Sequence, residues 1–218
     1  MAFSTRLIED HNELWNRMLS HPFLQDIEQG TLADETFEQW LKQDYEFVRA
    51  ALPFVSAIKP KAPDDHVRTF SEAEVALHEE LDLFEERAEA LGVDVSDVSR
   101  NLTTQSYVQH LLATAYREDY PVALTVYWTA EKAYHESWKQ VRPGIDEDHP
   151  WHPFVENWAG EPFAEFVSGL ETFLNQEADK ASGVQLDRME KQFVWTVRYE
   201  IAFWDMAYGR TGEEWIKN

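Results

Sequence analysis

The stretch YWTAEKAYHESW, residues 127–138, decides the fold because its residues repeat with the period of an amphipathic helix. Small and aromatic side chains recur at three- and four-residue spacing, which places them on one face of a helix. This apolar stripe extends past both ends of the segment and comprises Ala123, Tyr127, Ala130, Tyr134, Trp138 and Val141. Glu131 falls on the same stripe, although carboxylates usually lie on the solvated face. The segment therefore predicts a helix that carries an acid among aromatic residues.

Helical periodicity continues along nearly the whole chain, without strand-like alternation. The first helix is predicted to begin with a cap at Ser4 and to end before His21-Pro22. Glycines that end helices are predicted at Gly92, Gly183 and Gly209. The other helices are predicted to start near residue 34 and to cover 64–91, 102–117, 119–141, 152–158, 161–181 and 185–209. We therefore predict one all-α domain over residues 1–218, with about seven or eight helices.

The charge of the chain is strongly negative, with 41 Asp and Glu against 19 Lys and Arg and a formal net charge of −22. Such a field repels phosphate backbones and anionic lipid, so nucleic-acid and membrane-surface roles are disfavoured. Runs such as Glu79-Glu80 are interpreted as solvated faces. Because salt screens self-repulsion, the acid excess also favours a halophilic source.

The chain contains no cysteine, which excludes disulfides, thiolate catalysis and zinc sites of the cysteine type. Its first 15 residues, MAFSTRLIEDHNELW, lack the basic start and apolar core of a secretory signal. No apolar run approaches the ~20 residues that a membrane span needs. These features predict a soluble cytoplasmic protein.

Three acids on three predicted helices lie among apolar and aromatic residues. Besides Glu131, Asp44 lies one turn from Trp40, and Glu200 lies one turn from Phe203. A buried carboxylate without a partner costs several kcal/mol or becomes neutral through a raised pKa. If the three acids converge on one pocket, they can donate and accept protons and anchor a polar ligand.

A structural pairing is an alternative for each of these acids. Glu131 could pair with His135, Glu200 with Arg198 or a lysine, and Asp44 with a tyrosine hydroxyl. A metal site is a second alternative, since helical bundles bind metals through Glu-x-x-His motifs. That motif is missing around the acids, so no metal is predicted. No phosphate loop, nucleophile elbow or dinucleotide fingerprint is present either.

Several segments resemble the TenA / thiaminase II family of the haem-oxygenase-like superfamily. HPFLQDIEQGTLADETFEQWLKQDYEFV (21–48) is similar to the family's segment that begins with His-Pro-Phe and ends near Gln-Asp. EVALHEELDLF (74–84) resembles its Glu-x-x-x-His helix, and RYEIAFWDMAYG (198–209) resembles its closing Glu-x-x-Phe-Trp segment. The order and spacing of these segments match over nearly the whole chain.

The resemblance implies an up-and-down helical bundle around a pocket for a 4-amino-2-methylpyrimidine. It also implies a hydrolase of thiamine-breakdown products that works in thiamine salvage without metal or organic cofactor. By this resemblance Asp44 holds the amino group and ring nitrogen of the substrate, and Glu200 handles protons. The same comparison implies a pocket lining formed by Tyr107, Phe47, Phe203 and Tyr134.

The chain departs from the better-known members of the family at the nucleophile. Ala130 stands where those members carry a cysteine, and Glu131 follows it, so the chain resembles a cysteine-less branch. We expect Glu131 to activate water as a general base, because a carboxylate is a weak nucleophile toward the pyrimidine. Glu200 is then expected to protonate the leaving nitrogen, while Asp44 and Tyr107 fix the ring. Two substrates remain open, an aminomethyl-pyrimidine that loses ammonia and its N-formyl derivative that loses formate.

Two functions of other kinds remain as alternatives. The missing cysteine is compatible with a non-catalytic protein that binds a pyrimidine or thiamine. The implied fold is also compatible with an oxidase. The resemblance also implies a homo-oligomer, either a dimer or a tetramer.

Overall fold

A computed structural model describes residues 1–209 as a bundle of helices, so residues 210–218 of the predicted domain lie outside the described part. Within that part all regular structure is helical, which confirms the predicted all-α class. The ten α-helices are α1 Phe3–Asp10, α2 Asn12–Leu19, α3 Pro22–Glu28, α4 Asp34–Ile58, α5 Val67–Leu91, α6 Leu102–Arg117, α7 Tyr120–Val141, α8 His152–Ala159, α9 Glu161–Lys180 and α10 Gly183–Ala207. Single 3-10 turns follow α4 and α7.

Helix α7, which contains the segment 127–138, forms the centre of the bundle. Its chief neighbours are α10 and α9, and α8, α3 and α6 also contact it. The Asp119 side chain caps its start by accepting from the backbone N–H of Val122. The helix is buried on more than the predicted stripe, since Leu124, Thr125 and Trp128 are also fully buried. Glu131 therefore lies in a helix that has little solvated surface.

Helix α4 forms a second central element, packed between α5 and α6 and also contacting α10. It runs through Pro53 without ending, and Gly92 ends α5 in the left-handed region at φ 72°. Helices α4, α5, α7 and α8 meet around an aromatic cluster. Trp138 and Trp158 are stacked with ring centroids 5.1 Å apart, and Trp40 lies 5.0 Å from Trp138. Each such contact contributes about 0.5–1.5 kcal/mol beyond its buried area.

The predicted first helix is in fact two helices, because His11 leaves helical geometry at φ −117° and ψ 30°. The His11 imidazole lies 2.8 Å from a carboxylate oxygen of Glu190 in α10. The short helix α3 was not predicted; its Phe23 backbone N–H donates to the imidazole of His21.

The prediction that Gly183 ends a helix is wrong, since Gly183 begins α10 behind a Ser182 cap. Gly209, by contrast, follows α10 at φ 75°. No helix in residues 1–209 has the length and apolar character needed to cross a membrane.

Candidate active site

A cavity of about 40 Å³ lies between α4, α5, α7 and α8. It is lined by Asp44, Phe47, Val48, Ala51, Leu77, Glu80, Ala130, Glu131, Tyr134 and Trp158. This space is below the ~300–1,000 Å³ of typical ligand pockets, so a ring-sized ligand requires lining side chains to move. A larger, open groove of about 410 Å³ lies at the surface between His11 and α10, and none of the predicted acids lines it.

Asp44 lies on α4 and is fully buried. Its Oδ1 accepts a hydrogen bond of 2.6 Å from the Tyr134 hydroxyl on α7. Its Oδ2 is buried without a partner among the described residues. Burial raises the pKa of Asp44 well above its usual value, and the negative charges of Glu80 and Glu200 add to this, while the Tyr134 bond opposes it. Asp44 therefore has one oxygen fixed by tyrosine and one that can serve a ligand.

Glu200 on α10 forms a matching pair with Tyr107 on α6. The Tyr107 hydroxyl donates to Oε1 of Glu200, and Oε2 is buried without a partner among residues 1–209. Burial raises the pKa of Glu200 to about 8 despite that hydrogen bond. The pKa of Tyr107 is also raised well above its usual value, by burial and by the charge of Glu200. The pair therefore holds a proton near neutral pH.

Phe47 lines the cavity and also contacts the aromatic rings next to the Glu200 pair. Its ring lies 4.6 Å from the Tyr107 ring and 5.6 Å from the Phe203 ring. Of the residues proposed from the sequence, four line the cavity, namely Asp44, Phe47, Glu131 and Tyr134. The other three, Tyr107, Glu200 and Phe203, are not among the lining residues, although the charge of Glu200 acts on both Asp44 and Glu131.

Glu131 is half-buried and faces the cavity next to Ala130. Its pKa is raised well above the usual value, first by burial and then by the charges of Glu80, Glu200 and Asp44. The alternative pairing with His135 is not formed among the described residues, and the His135 Nδ1 lies instead 2.8 Å from the backbone oxygen of Trp158.

The pairing of Glu200 with Arg198 is also not formed. The Arg198 guanidinium lies 5.2 Å from the ring centroid of Trp195, while Glu200 bonds Tyr107. The tyrosine alternative for Asp44 is formed with Tyr134, but it occupies only one of the two carboxylate oxygens.

Glu80 on α5 is the cavity acid that the sequence interpretation missed. The prediction of a solvated Glu79-Glu80 pair is wrong for Glu80, which is half-buried, and correct for Glu79, which is exposed. Oε1 of Glu80 accepts a 2.9 Å hydrogen bond from the Trp158 indole, and burial raises its pKa to about 7. The available signal was helical spacing, since Glu80 lies three residues after Leu77 and four before Phe84, both buried.

The lining of the cavity is therefore acidic and aromatic. None of its lining residues is Lys, Arg or His, so its three carboxyl groups have no cationic partner in the wall. Among the described residues, no group of three or more His, Asp or Glu has the arrangement of a metal site. Such a wall keeps carboxyl groups protonated at a pH where exposed ones are ionised, which is what acid and base catalysis requires.

The comparisons with known proteins converge on one family. The sequence model of the TENA/THI-4/PQQC family matches residues 8–210. An aminopyrimidine aminohydrolase of Halalkalibacterium halodurans is 28% identical over 216 residues, covering 95% of this chain and 96% of that protein. A probable bifunctional TENA-E protein of Glycine max is 29% identical over 213 residues, covering 93% and 91%.

Solved structures agree with this match. A TenA homologue from Pyrococcus furiosus superposes with a TM-score of 0.91 at 35% identity, covering 94% of this chain and all of that one. A domain with a heme oxygenase-like fold from Shewanella denitrificans superposes with a TM-score of 0.74 at 13% identity, covering 94% and 91%. The second match concerns the fold alone, and it confirms the predicted haem-oxygenase-like architecture.

Proposed function

Because the chain belongs to the TENA/THI-4/PQQC family, we propose that it hydrolyses the carbon–nitrogen bond of aminopyrimidine products of thiamine breakdown, in thiamine salvage. The observation that carries the proposal is a single cavity lined by the carboxyl groups of Asp44 and Glu131 and by two aromatic rings, those of Phe47 and Tyr134. An acid with a free oxygen, a water-activating acid and aromatic walls are the groups that such a substrate requires.

Asp44 is the proposed anchor for the pyrimidine. Its raised pKa favours the neutral carboxylic acid, which both donates and accepts hydrogen bonds. A 4-aminopyrimidine offers the complementary pair, a ring nitrogen that accepts and an amino group that donates. Tyr134 holds Oδ1 in place, and Phe47 provides an aromatic surface for the ring. Tyr107 and Phe203 are proposed to support Phe47 from behind, in the substrate-binding layer.

Glu131 is the proposed general base. Its position next to Ala130 places a carboxyl group where the resemblance puts a cysteine, and the chain has no thiol at all. Its raised pKa makes its carboxylate a stronger base than an exposed glutamate. Glu200, which is fully buried and accepts a hydrogen bond from the Tyr107 hydroxyl, is the proposed acid that protonates the leaving nitrogen.

The bond changes balance for both candidate substrates. With the aminomethyl-pyrimidine, the water oxygen bonds to the methylene carbon, and the nitrogen leaves as ammonia with the electron pair of the broken bond. With the N-formyl derivative, the water oxygen bonds to the formyl carbon, and formate and the free amine are the products. An amide carbonyl is the easier target for activated water, and intact thiamine the harder one.

A panel assay tests this function. The wild-type protein is incubated with the aminomethyl-pyrimidine, its N-formyl derivative and thiamine, while ammonia, formate and hydroxymethyl-pyrimidine are measured. We expect turnover of at least one of the first two and weak or no cleavage of thiamine. Binding in titration calorimetry without turnover of any pyrimidine would instead identify a non-catalytic binding protein.

We further propose a cytoplasmic homo-oligomer, a dimer or tetramer, from a halophilic cell. The net charge of −22 supports the salt requirement, and the exposed Leu102, Tyr116, Val184 and Trp195 support an interface. Light scattering and thermal unfolding in low and high KCl test both statements. We expect a multiple of the chain mass and a melting temperature that rises with salt; a monomer whose melting temperature falls with salt contradicts the proposal.

A further inference from the structure

Glu80 is a cavity acid for which the function proposed above gives no role. It lies on α5, and its Oε1 accepts a hydrogen bond of 2.9 Å from the indole N–H of Trp158. Trp158 is buried and stacked on Trp138 and Phe154, with ring centroids 5.1 and 6.0 Å away, so packing holds this donor in place. Glu80 makes no other hydrogen bond or ion pair within residues 1–209, which leaves its second oxygen, Oε2, available to a ligand.

Glu80 lies close to both the anchor Asp44 and the base Glu131. All three line the same cavity of about 40 Å³. After burial itself, the charge of Glu80 is the largest contribution that raises the pKa of Asp44, and the same holds for Glu131. Such charge effects fall with distance. Independently, Oδ2 of the fully buried Asp44 has no partner among the described residues, which indicates that the cavity takes a polar ligand.

The departing nitrogen of the substrate has to come near the same part of the wall. With the ring on Asp44, Glu131 must reach the water that attacks the carbon. In both candidate substrates the departing nitrogen is bonded directly to that carbon, and it carries hydrogen. The departing nitrogen of thiamine, by contrast, belongs to a ring and carries no hydrogen. A hydrogen-bond acceptor beside Asp44 and Glu131 can therefore distinguish the two candidates from thiamine.

We propose that Glu80 is the specificity residue for the departing group, and that its Oε2 accepts a hydrogen bond from the N–H of the departing nitrogen. This inference rests on the proposed function and narrows the substrates to pyrimidines whose departing nitrogen carries hydrogen. The proton transfers stay as given above: Glu131 takes a proton from water, and Glu200 gives one to the nitrogen. Glu80 orients that nitrogen and leaves its electron pair for the proton from Glu200.

Replacement of Glu80 by glutamine reverses the polarity of this contact. An indole N–H can only donate, so the glutamine oxygen stays on Trp158 and its NH2 group faces the cavity. A donor then meets the substrate N–H. Burial raises the pKa of Glu80 to about 7, so above that pH the wild type offers a carboxylate, which only accepts. The lost charge beside Asp44 and Glu131 affects every substrate alike, so a comparison of two substrates cancels it.

Methylation of the departing nitrogen tests the proposal. Wild type and Glu80→Gln are compared in kcat/KM on the N-formyl substrate and on its N-methyl derivative, which keeps the amide but has no N–H. We expect Glu80→Gln to lose about 10–100-fold on the N-formyl substrate and less than about threefold on the derivative. Glu79→Gln, which removes the same charge from an exposed position on α5, is the matched control and should retain both activities.

Two further substrates complete the comparison. If wild type turns over only the aminomethyl-pyrimidine, its trimethylammonium derivative takes the place of the N-methyl amide, because it too has no N–H. If the added methyl group prevents binding, the O-formyl ester of the hydroxymethyl-pyrimidine replaces the derivative, since its oxygen stands in place of the N–H without added bulk. The same selective loss by Glu80→Gln is expected with either pair.

The other outcomes decide the matter as well. Equal losses on both members of a pair overturn the proposal, because a proton donor or a purely structural residue would affect both. An unchanged kcat/KM on the N–H substrate overturns it too, and both results leave the proposed function intact. Absence of turnover by wild type on every pyrimidine overturns the proposed function itself.

A second variant covers a loss of folding. If Glu80→Gln loses its helical circular dichroism, Trp158→Phe replaces it, because that change removes the indole donor that fixes Glu80. We then expect a smaller loss confined to the N–H substrate, and equal losses on the two substrates again overturn the proposal.

Discussion

Two buried acids on α4, Asp44 and Glu46, differ in what surrounds them. Glu46 accepts from the Arg49 guanidinium at 2.6 Å and from the Arg100 guanidinium at 3.0 Å, so both of its oxygens face cations. Asp44, two residues earlier, has a tyrosine on one oxygen and no partner on the other among the described residues. Both side chains are shielded from solvent, but only Glu46 has its charge compensated. The difference separates an acid that stabilises the fold from one that is available to a ligand.

The largest expected effect is a loss of catalytic activity when Asp44 is replaced. Asp44→Asn keeps the shape of the side chain but removes the acid that can exchange a proton with the pyrimidine. We expect kcat/KM to fall by about 10²–10³-fold, which corresponds to about 3–4 kcal/mol of lost transition-state binding. Steady-state assays on the preferred pyrimidine measure this. Wild-type kcat/KM in this variant would show that Asp44 does not bind the substrate.

The next effect concerns the pH dependence of stability at Glu200. Since burial raises its folded pKa to about 8, above the usual value of about 4.3 in the unfolded chain, the folded state keeps a proton that the unfolded state releases. The contribution of this carboxyl group to stability is therefore fully present below pH ~4.3 and is lost as pH rises through about 8.

Glu200→Gln removes that titration, and chemical denaturation at two pH values measures the result. We expect the variant to be about 4–5 kcal/mol more stable relative to wild type at pH 9 than at pH 4. The same stability difference at both pH values would show that folding does not raise the pKa of Glu200.

A smaller effect is expected at Glu46, the compensated acid. Glu46→Gln weakens two charge-assisted hydrogen bonds, but the Arg49 and Arg100 side chains are partly exposed at 52% and 27%, so solvent screens part of the loss. We expect about 1–2 kcal/mol of lost stability in denaturant unfolding, together with nearly wild-type kcat/KM. A large loss of activity in a folded Glu46→Gln variant would contradict the assignment of Glu46 to stability and of Asp44 to ligand binding.

Periodicity predicted most of the fold because helix formation is a local property of the sequence. The long helices agree with their predicted ranges to within about three residues. One of the largest differences is at α5, which was predicted to start at residue 64 and begins at Val67. The break at His11 coincides instead with a contact between distant residues, that of His11 with Glu190, which periodicity does not contain. Helix α3 has local signals, a cap at His21 and Pro22 at its start, but it is short and was interpreted only as a break.

The site was predictable to the extent that an acid lies on an apolar stripe. Asp44, Glu131 and Glu200 have that signature, and all three are coupled in the structure through their charges. Glu80 was hidden by its exposed neighbour Glu79, because an adjacent pair of glutamates resembles a solvated surface. That Glu200 is not among the residues lining the cavity depends on side-chain packing between α4, α6 and α10, which spacing along one helix does not contain.

The central claim is that Glu131 activates water in a site without a thiol. The most direct measurement is kcat of Glu131→Gln on the pyrimidine that wild type prefers, with circular dichroism to verify folding and Glu79→Gln as the control. We predict a fall of at least about 10²-fold in a variant with an unchanged helical spectrum, and an active control. Release of ammonia or formate by Glu131→Gln at the wild-type rate would contradict the account.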